Sequence, residues 1–200
     1  MAEPKILWEP QPRQAAFMGR TEYEVLYGGA AGGGKSDALL MEALRQVHIP
    51  HYRGLILRKT YPQLSELIDR SRELYGPAFP GARYNGTEHC WTFRSGAKLY
   101  FGSMQHTKDR INYQGKRYDY IGFDELTHFT WEEYSYLFSR NRPSGPGTIV
   151  YMRASTNPGL SLIHIYRPGH PGVWAALYLQ DYLGGAGRSS EEAHSPDHRR

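Results

Sequence analysis

Residues 23–47, YEVLYGGAAGGGKSDALLMEALRQV, decide the fold of this 200-residue chain. Residues 23–27 form a short segment rich in aromatic and β-branched or aliphatic side chains, which is typical of a strand. From Lys35 onward, apolar side chains recur at the three- and four-residue spacing of one helix face until Pro50 stops the pattern. Between the two segments, residues 29–36 match the motif G-x-x-x-x-G-K-S/T. The stretch therefore predicts a strand, a phosphate-binding glycine loop and a helix in succession.

The glycine loop has the chemistry to hold a nucleoside triphosphate. Glycines let successive backbone N–H groups turn toward phosphate oxygens, and the start of the following helix adds its positive dipole end. In this motif Lys35 reaches the β- and γ-phosphates, and the Ser36 hydroxyl is a ligand of Mg²⁺. A merely flexible glycine loop is the alternative, but it would require neither the strand before it nor the helix after it. The predicted nucleotide-binding residues of the loop are Gly29, Gly32, Gly33, Gly34, Lys35 and Ser36.

A second segment with catalytic chemistry is residues 118–125, where an apolar strand ends in Asp124 and Glu125. An acid at a strand end beside a phosphate loop can hold a magnesium-bound water, and an acid directly after it can polarise a water for attack on the γ-phosphate. We therefore assign Asp124 to the metal and Glu125 to the catalytic base. Taken alone, the pair has an alternative role at the start of a helix, where acids meet the positive end of the dipole.

The rest of the chain alternates strand and helix patterns, which predicts an α/β fold with a mostly parallel sheet flanked by helices. Ligands of such sheets bind beyond the carboxyl ends of the strands, where the acidic pair lies. The predicted elements are strands at 54–58, 118–123 and 148–152, a helix from Pro62 to Gly76-Pro77, a helix at 131–138, an inserted β-hairpin at 90–101, and weaker signals for a strand at 161–166 and a short helix at 173–183.

Four further side chains lie at positions suited to a nucleotide site. Gln14 precedes the first strand and has an amide that can pair with both a donor and an acceptor on adenine, although a surface Gln is equally compatible. Thr156 and Asn157 follow the last clear strand and can sense the γ-phosphate, or simply start a turn. Arg58 follows the second strand and can stabilise transition-state charge. Its rivals for that role are Arg94, Arg110 and Arg117.

Composition limits the class of protein. A mass of 22.9 kDa fits one domain, and a net charge of +4, with eighteen Arg and six Lys, permits attraction to a polyanion without demanding it. The single Cys90 excludes an internal disulfide, and the scattered His residues form no zinc-ligand pattern. Because the sequence has neither an apolar run of about 18 residues nor a signal-peptide pattern, we expect a soluble cytosolic protein without a membrane partner.

Taken in order, these segments resemble the ATPase domain of tailed-phage terminase large subunits, motors that drive double-stranded DNA into a procapsid. The resemblance covers about residues 10–159. It implies a P-loop NTPase fold of the RecA/ASCE-like type, with ATP and Mg²⁺ as ligands. The residues that carry it are the Gln14 segment as adenine motif, Lys35 and Ser36 as the Walker A pair, residues 57–64, the hairpin, Asp124 and Glu125 as Walker B with its catalytic glutamate, and Thr156-Asn157 as the coupling motif.

The sequence departs from the family pattern in two places. Many members carry an Arg inside the phosphate loop, where this chain has only Ala and Gly, so the charge-neutralising role would fall to Arg58 or to a neighbouring subunit. Members normally continue into a nuclease domain built around carboxylates, but only four acids follow Gly159, so we expect a fragment without nuclease activity. The expected domains are the ATPase at 1–159, a segment of uncertain kinship at 160–183 and a disordered tail at 184–200.

The resemblance predicts an ATP-hydrolysing motor that moves double-stranded DNA into a procapsid. Such a motor implies a homo-oligomeric ring, a portal protein and a small terminase subunit as partners, and the cytoplasm of the infected bacterium as its location. Two alternatives remain open: another nucleic-acid-dependent P-loop ATPase of the helicase type, and a nucleotide-binding assembly module without turnover.

Overall fold

A central β-sheet organises the molecule in the computed structural model, which describes residues 6–29, 32–157 and 175–177. Within those ranges the strands are β1 (Glu24–Gly28), β2 (Arg53–Arg58), β3 (Arg83–Asn85), β4 (Cys90–Thr92), β5 (Lys98–Ser103), β6 (Tyr120–Phe123), β7 (Tyr151–Thr156) and β8 (Ala175–Leu177). The helices of the same ranges are α1 (Pro12–Met18), α2 (Lys35–Glu42), α3 (Tyr61–Ala78) and α4 (Trp131–Phe138), with 3₁₀ helices at Thr107–Tyr113 and Leu126–His128. None of these helices combines the length and apolarity that crossing a bilayer requires.

The strand order across the sheet is β3-β4-β5-β2-β6-β7-β1-β8. Across the sheet, the six strands from β5 through β2, β6, β7 and β1 to β8 are all parallel to their neighbours in that series. Strand β4 is antiparallel to both of its neighbours. This confirms the predicted mostly parallel sheet with an inserted hairpin, whose arms are β4 and β5. The short strand β3, which extends the hairpin to three strands, was not predicted.

The register of the parallel strands brings their carboxyl ends to one edge of the sheet. Gly28 at the end of β1 is in register with Thr156 at the end of β7. Phe123, the last residue of β6, is in register with Leu57 of β2 and with Ala154 of β7. The residues that follow these strands must therefore lie close together, and they are the glycine loop, the acidic pair and Asn157.

Helices cover both faces of the sheet, as predicted. Along β2 the side chains alternate, so that Leu55 and Leu57 pack on one face and Ile56 on the other. The face of Ile56 is covered by α2 and α3, represented by Leu67, and the opposite face by α4, represented by Leu137. All five side chains are buried. A strand with two buried faces is what the continuous apolar run at residues 54–57 requires.

Buried tyrosine hydroxyls hold the C-terminal end of α2. The last carbonyl groups of a helix have no partner within the helix and must be satisfied by other groups. Here four tyrosine hydroxyls donate to carbonyl oxygens at the C-terminal end of α2: Tyr75 to Leu40 (2.6 Å), Tyr52 to Ala43 (2.7 Å), Tyr120 to Leu39 (3.0 Å) and Tyr151 to Glu42 (3.0 Å). Each tyrosine comes from a different part of the fold, so α2 is tied to β6, β7, α3 and the segment before β2.

Helix α2 is shorter than the apolar pattern predicts. The apolar spacing indicated a helix up to Pro50, but α2 ends at Glu42 and the chain continues in tighter turns in which N–H groups bond three residues back. Ala43 and Val47 stay buried in the core, so the apolar pattern is satisfied without a regular helix. The pattern thus located the buried face correctly but not the end of the helix.

Two other boundaries differ from the prediction. The helix expected to end at Gly76-Pro77 continues to Ala78, because a proline in a last turn removes only one hydrogen bond. The last clear strand begins at Tyr151 instead of residue 148. There the backbone N–H and carbonyl of Ile149 bond to the Gln46 side chain instead of to a neighbouring strand.

Of the segments predicted after Gly159, the structure describes residues 175–177. Residues 175–177 form β8 beside β1, and they do not belong to the helix predicted at 173–183. The strand predicted at 161–166 and the tail at 184–200 lie outside the described residues. The division into a domain at 1–159 and a following segment stays a prediction.

Candidate nucleotide-binding site

The glycine loop takes backbone conformations that favour glycine. Gly29, Gly32 and Gly34 have φ values of 151°, 80° and 64°. A Cβ on Gly34 would lie 2.4 Å from the Gln14 amide nitrogen, so both conformation and space demand glycine there. Gly33 lies in the same turn, directly before the first turn of α2. The glycines of the motif thus allow the loop to turn sharply between β1 and α2.

Lys35 is the first residue of α2, and its side chain folds back across the loop. Its Nζ donates a hydrogen bond to the carbonyl oxygen of Gly29, 3.0 Å away, and the residue is only 8% exposed. Burial lowers the pKa of the Lys35 ammonium, while the carboxylates of Asp124 and Glu125 oppose that shift. A cation that has lost hydration gains strongly from an anionic ligand, which is the chemistry that a phosphate offers.

Asp124 joins the glycine loop to the middle of the sheet. Its carboxylate accepts a hydrogen bond from the Ser36 hydroxyl, which lies 3.1 and 3.0 Å from its two oxygens, and another from the Ser155 hydroxyl. Its own N–H donates to Leu57 O at 2.9 Å, which fixes the turn after β6 against β2. The residue is 1% exposed. The predicted metal ligands Ser36 and Asp124 are therefore adjacent.

Arg58, at the end of β2, faces the acidic pair. Its Nε donates to Asp124 Oδ2 at 2.6 Å, and its Nη2 lies 2.5 Å from the same oxygen. Its Nη1 is 3.7 Å from Glu125 Oε2. The guanidinium thus lies between the two carboxylates predicted for the metal and for the base, at the sheet edge where the sequence placed it.

Glu125 has a backbone conformation that its residue type rarely adopts. Its φ and ψ are 58° and 57°, in the left-handed region, and its N–H donates to the Ser155 hydroxyl at 3.1 Å. Such conformations cost about 1–3 kcal/mol and are concentrated at functional sites. Its carboxylate keeps contact with solvent, and Oε2 lies 3.2 Å from His128 Nδ1. The carboxylate therefore points out of the core, where a water molecule can reach it.

Gln14 lies behind the loop and supports it. Its amide nitrogen donates to Gly34 O at 2.7 Å, and its amide oxygen accepts from the N–H of Gln11 at 2.8 Å. The side chain is buried, with 3% exposure. Both ends of the amide already have protein partners. The predicted pairing of Gln14 with adenine stays a prediction.

Thr156 and Asn157 end β7 beside the start of the loop. Thr156 is buried and its hydroxyl donates to Asn157 O at 3.0 Å, whereas Asn157 is exposed. Because Thr156 is in register with Gly28, a movement of this strand end would be felt by the loop. The sensing role of the pair stays a prediction.

Sequence reasoning gave no role to two residues of the site. Ser155 bonds to both members of the acidic pair, and His128 contacts the Glu125 carboxylate. The only sequence signal for Ser155 was a hydroxyl shortly after the predicted strand at 148–152. His128 gave no signal, because it meets Glu125 only through the unusual turn at that residue.

The donor atoms present fit Mg²⁺. Ser36 and Asp124 offer a hydroxyl and a carboxylate, the hard oxygen ligands that this ion prefers. Among the described residues, no group of three or more His, Cys, Asp or Glu side chains could hold a metal alone. Mg²⁺ is usually bound by one or two protein ligands together with phosphate oxygens and water, so a sparse protein set is the expected one.

Strand β1, the glycine loop, α2 and the acids after β6 define a P-loop NTPase fold of the ASCE type. A family model described as "Terminase large subunit, T4likevirus-type, N-terminal" matches residues 26–164. The chain belongs to this family of terminase large subunits, the ATPase-domain family of phage DNA packaging. The resemblance of the sequence to terminase large subunits is thereby confirmed.

Solved structures agree on the fold. The chain is similar to the large terminase ATPase domain of Thermus phage P74-26, with a TM-score of 0.59 and 18% identity over 78% of this chain and 68% of the other. It is also similar to the N-terminal domain of the DNA packaging ATPase from bacteriophage phi29, with a TM-score of 0.51 and 15% identity over 80% and 87%. No curated protein matches the chain.

A third similar structure is a large terminase from a thermophilic bacteriophage. Its TM-score is 0.61 at 13% identity, over 75% of this chain and 40% of the other. The chain therefore spans less than half of that terminase. A further structure of this terminase, with a TM-score of 0.56 and 16% identity over 74% of this chain and 38% of the other, is a complex with ATP-gamma-S.

Proposed function

We propose that this chain is an ATP-hydrolysing motor domain that couples hydrolysis of Mg²⁺-ATP to movement of double-stranded DNA into a procapsid. The observation that carries the proposal is the convergence of Lys35, Ser36, Arg58, Asp124 and Glu125 at one edge of the sheet. Membership of the terminase family and the ATP-gamma-S complex of a structural relative support ATP as the nucleotide.

In this proposal the loop and Lys35 bind the phosphates. Backbone N–H groups at the start of α2 and the Lys35 ammonium meet the β- and γ-phosphate oxygens, and Lys35 exchanges its bond to Gly29 for a bond to phosphate. Ser36 and Asp124 would hold the metal. When bound, Mg²⁺ neutralises part of the charge of the β- and γ-phosphates.

Glu125 would act as the general base. A water held by its carboxylate attacks the γ-phosphorus, the new P–O bond forms as the bond to the ADP oxygen breaks, and Glu125 accepts the proton of the water. The left-handed backbone at Glu125 and its bond to Ser155 would aim the carboxylate at that water. Arg58 would stabilise charge on the γ-phosphate as it passes through the transition state.

Coupling to DNA would begin at the end of β7. Thr156 and Asn157 follow the strand that lies beside β1 and would register loss of the γ-phosphate through the loop. Because a motor must act on any sequence, its DNA contacts are expected to be directed at phosphates and to weaken with salt.

The family supports a set of partners for the same activity. We propose a homo-oligomeric ring, with a portal protein and a small terminase subunit as further partners, acting in the cytoplasm of the infected bacterium. Membership of a packaging family is the support for this assembly.

Phosphate release by the purified chain tests the hydrolytic step. We expect Mg²⁺-dependent release that falls about 100-fold or more in Glu125→Gln, because general-base catalysis contributes at least that factor. Nucleotide binding should persist in this variant, and Glu132→Gln, an exposed glutamate of α4, serves as the matched control. Nucleotide binding without release by the parent chain would contradict the motor and favour an assembly module.

A further inference from the structure

The Asp124 carboxylate has no vacant position for a metal ion. One oxygen accepts a hydrogen bond from the Ser155 hydroxyl and the other from the Nε and Nη2 groups of Arg58, while the single proton of the Ser36 hydroxyl, which lies near both oxygens, serves one of them. A carboxylate offers about four lone-pair sites. All of them face protein donors, and the residue is buried. A cation that coordinates Asp124 must therefore displace one of these donors.

Arg58 is the donor whose displacement the charges favour. The Ser36 hydroxyl is itself an oxygen ligand and can turn toward the same cation, and the Ser155 hydroxyl is held in place by the N–H of Glu125. The guanidinium of Arg58 carries a fixed positive charge and is repelled by a divalent cation on the same carboxylate. It also has an alternative acceptor, because Glu125 Oε2 lies 3.7 Å from its Nη1.

Formal charge leads to the same conclusion. In the structure, the two carboxylates of Asp124 and Glu125 face the two cations Lys35 and Arg58. Both acids therefore have a positive partner in the buried site without a metal. A divalent cation that joins Asp124 would make Arg58 surplus there, and the phosphates that accompany it supply the negative charge to which Arg58 can move.

We propose that Arg58 holds the place of the metal on Asp124 in the nucleotide-free protein, and that metal binding with nucleotide releases it toward the phosphates. This inference rests on the proposed function, because it assumes that Mg²⁺-nucleotide is the ligand. It assigns Arg58 two successive roles. Arg58 first positions the metal-ligating carboxylate, and it then reaches the phosphates only when metal and nucleotide are both present.

The affinity of the protein–ADP complex for Mn²⁺ tests the exchange without measuring activity. ADP is the right nucleotide because it lacks the γ-phosphate, so a contact between Arg58 and that group does not enter the result. We titrate Mn²⁺, a paramagnetic substitute for Mg²⁺, into protein in excess over ADP and follow free Mn²⁺ by electron paramagnetic resonance. Arg58→Gln removes the competing cation, Arg58→Lys keeps a charge, and Arg72→Gln is a matched control for an exposed arginine of α3.

We expect Arg58→Gln to bind Mn²⁺ about tenfold more tightly than the parent, a change equivalent to about 1.4 kcal/mol. Arg72→Gln should match the parent, and Arg58→Lys should lie between the parent and Arg58→Gln. Equal or weaker Mn²⁺ binding by Arg58→Gln would overturn the inference while leaving nucleotide binding intact. A parent chain that binds no ADP at any metal concentration would instead contradict the proposed function.

A measurement on the unaltered protein keeps the test decisive if Arg58→Gln does not fold. The Nε–H proton of Arg58, bonded to Asp124, should give a protected NMR signal that is identified by its absence in Arg58→Lys. We expect this signal to persist when ADP is added alone and to be lost when Mg²⁺ follows. A signal that is unchanged by Mg²⁺ in the ADP complex would overturn the displacement of Arg58.

Discussion

The two ends of α2 are held in different ways. At the N-terminal end, Lys35 and Ser36 contact a backbone carbonyl and a carboxylate, beside a glycine loop with no side-chain cap. At the C-terminal end, hydroxyls of buried tyrosines bond to the carbonyls of the helix. The contacts at the N-terminal end, which we call the exchangeable end, involve charged groups and a hydroxyl that a ligand can engage. The contacts at the C-terminal end, which we call the anchored end, are neutral hydrogen bonds from buried tyrosines.

The difference separates an end of α2 that is fixed in the core from an end that lies in the predicted nucleotide site. Burial raises the pKa of Tyr52, Tyr75 and Tyr120 well above its usual value, so these hydroxyls remain protonated donors. Burial lowers the pKa of Lys35, because desolvation disfavours its charged form. A rearrangement of the phosphate loop would therefore leave the far end of α2 fixed in the core.

The largest effect should come from the exchangeable end. Lys35→Ala removes the cation that faces the phosphates, and we expect ADP affinity to fall about 100-fold, because a charge-assisted hydrogen bond contributes about 1.5–3 kcal/mol. Calorimetric titration measures it, with Lys98→Ala in β5 as control. Unchanged ADP affinity would remove the distinction between the two ends.

A smaller effect, on stability, should come from the anchored end. Tyr75→Phe leaves Leu40 O without its hydroxyl donor and should lower the free energy of unfolding by about 1–2 kcal/mol. In the described part of the chain, Leu44 N bonds to Met41 O instead of to Leu40 O, so no helical N–H compensates. Denaturant unfolding measures the loss, and the exposed Tyr61→Phe of the same helix is the control.

The tyrosine bonds can be compared with one another. Tyr120→Phe should cost less than Tyr75→Phe, about 0.5–1 kcal/mol, because Leu39 O also accepts from Ala43 N at 3.1 Å. Equal losses in the two variants would show that the carbonyls are not distinguished by their remaining partners. ADP affinity should stay within about twofold of the parent in both, since neither hydroxyl contacts the loop.

The exchangeable end was predictable because its signals are local. The spacing from Gly29 to Ser36 and the two acids after an apolar strand each lie within eight residues, and parallel strands must bring them together. The convergence of Asp124 with Ser36 follows from that rule. The contact of Arg58 with Asp124 also agrees with its predicted place at the end of a neighbouring strand.

The anchored end was not predictable, because its bonds join distant residues. Tyr151 bonds to Glu42 and Gln46 bonds to Ile149 across more than 100 positions of sequence. No sequence periodicity indicates which tyrosine bonds to which carbonyl. The predicted helix α2 is therefore too long, and the predicted strand β7 begins too early. Ser155 was missed for a related reason, since its role depends on the turn at Glu125, which is set by the whole sheet edge.

The smaller of the two expected losses of nucleotide affinity concerns Gln14, the residue that joins the exchangeable end of α2 to α1. Gln14→Met keeps the approximate shape but removes the bonds to Gly34 O and Gln11 N, and we expect the affinities for ADP and GDP to fall equally, by about threefold to tenfold. Equal loss is expected because the buried amide already has protein partners on both sides. Exposed Gln114→Met is the control. A loss confined to ADP would instead assign Gln14 to adenine, as the sequence predicts. The site beside the exchangeable end of α2 would then contact the base as well as the phosphates.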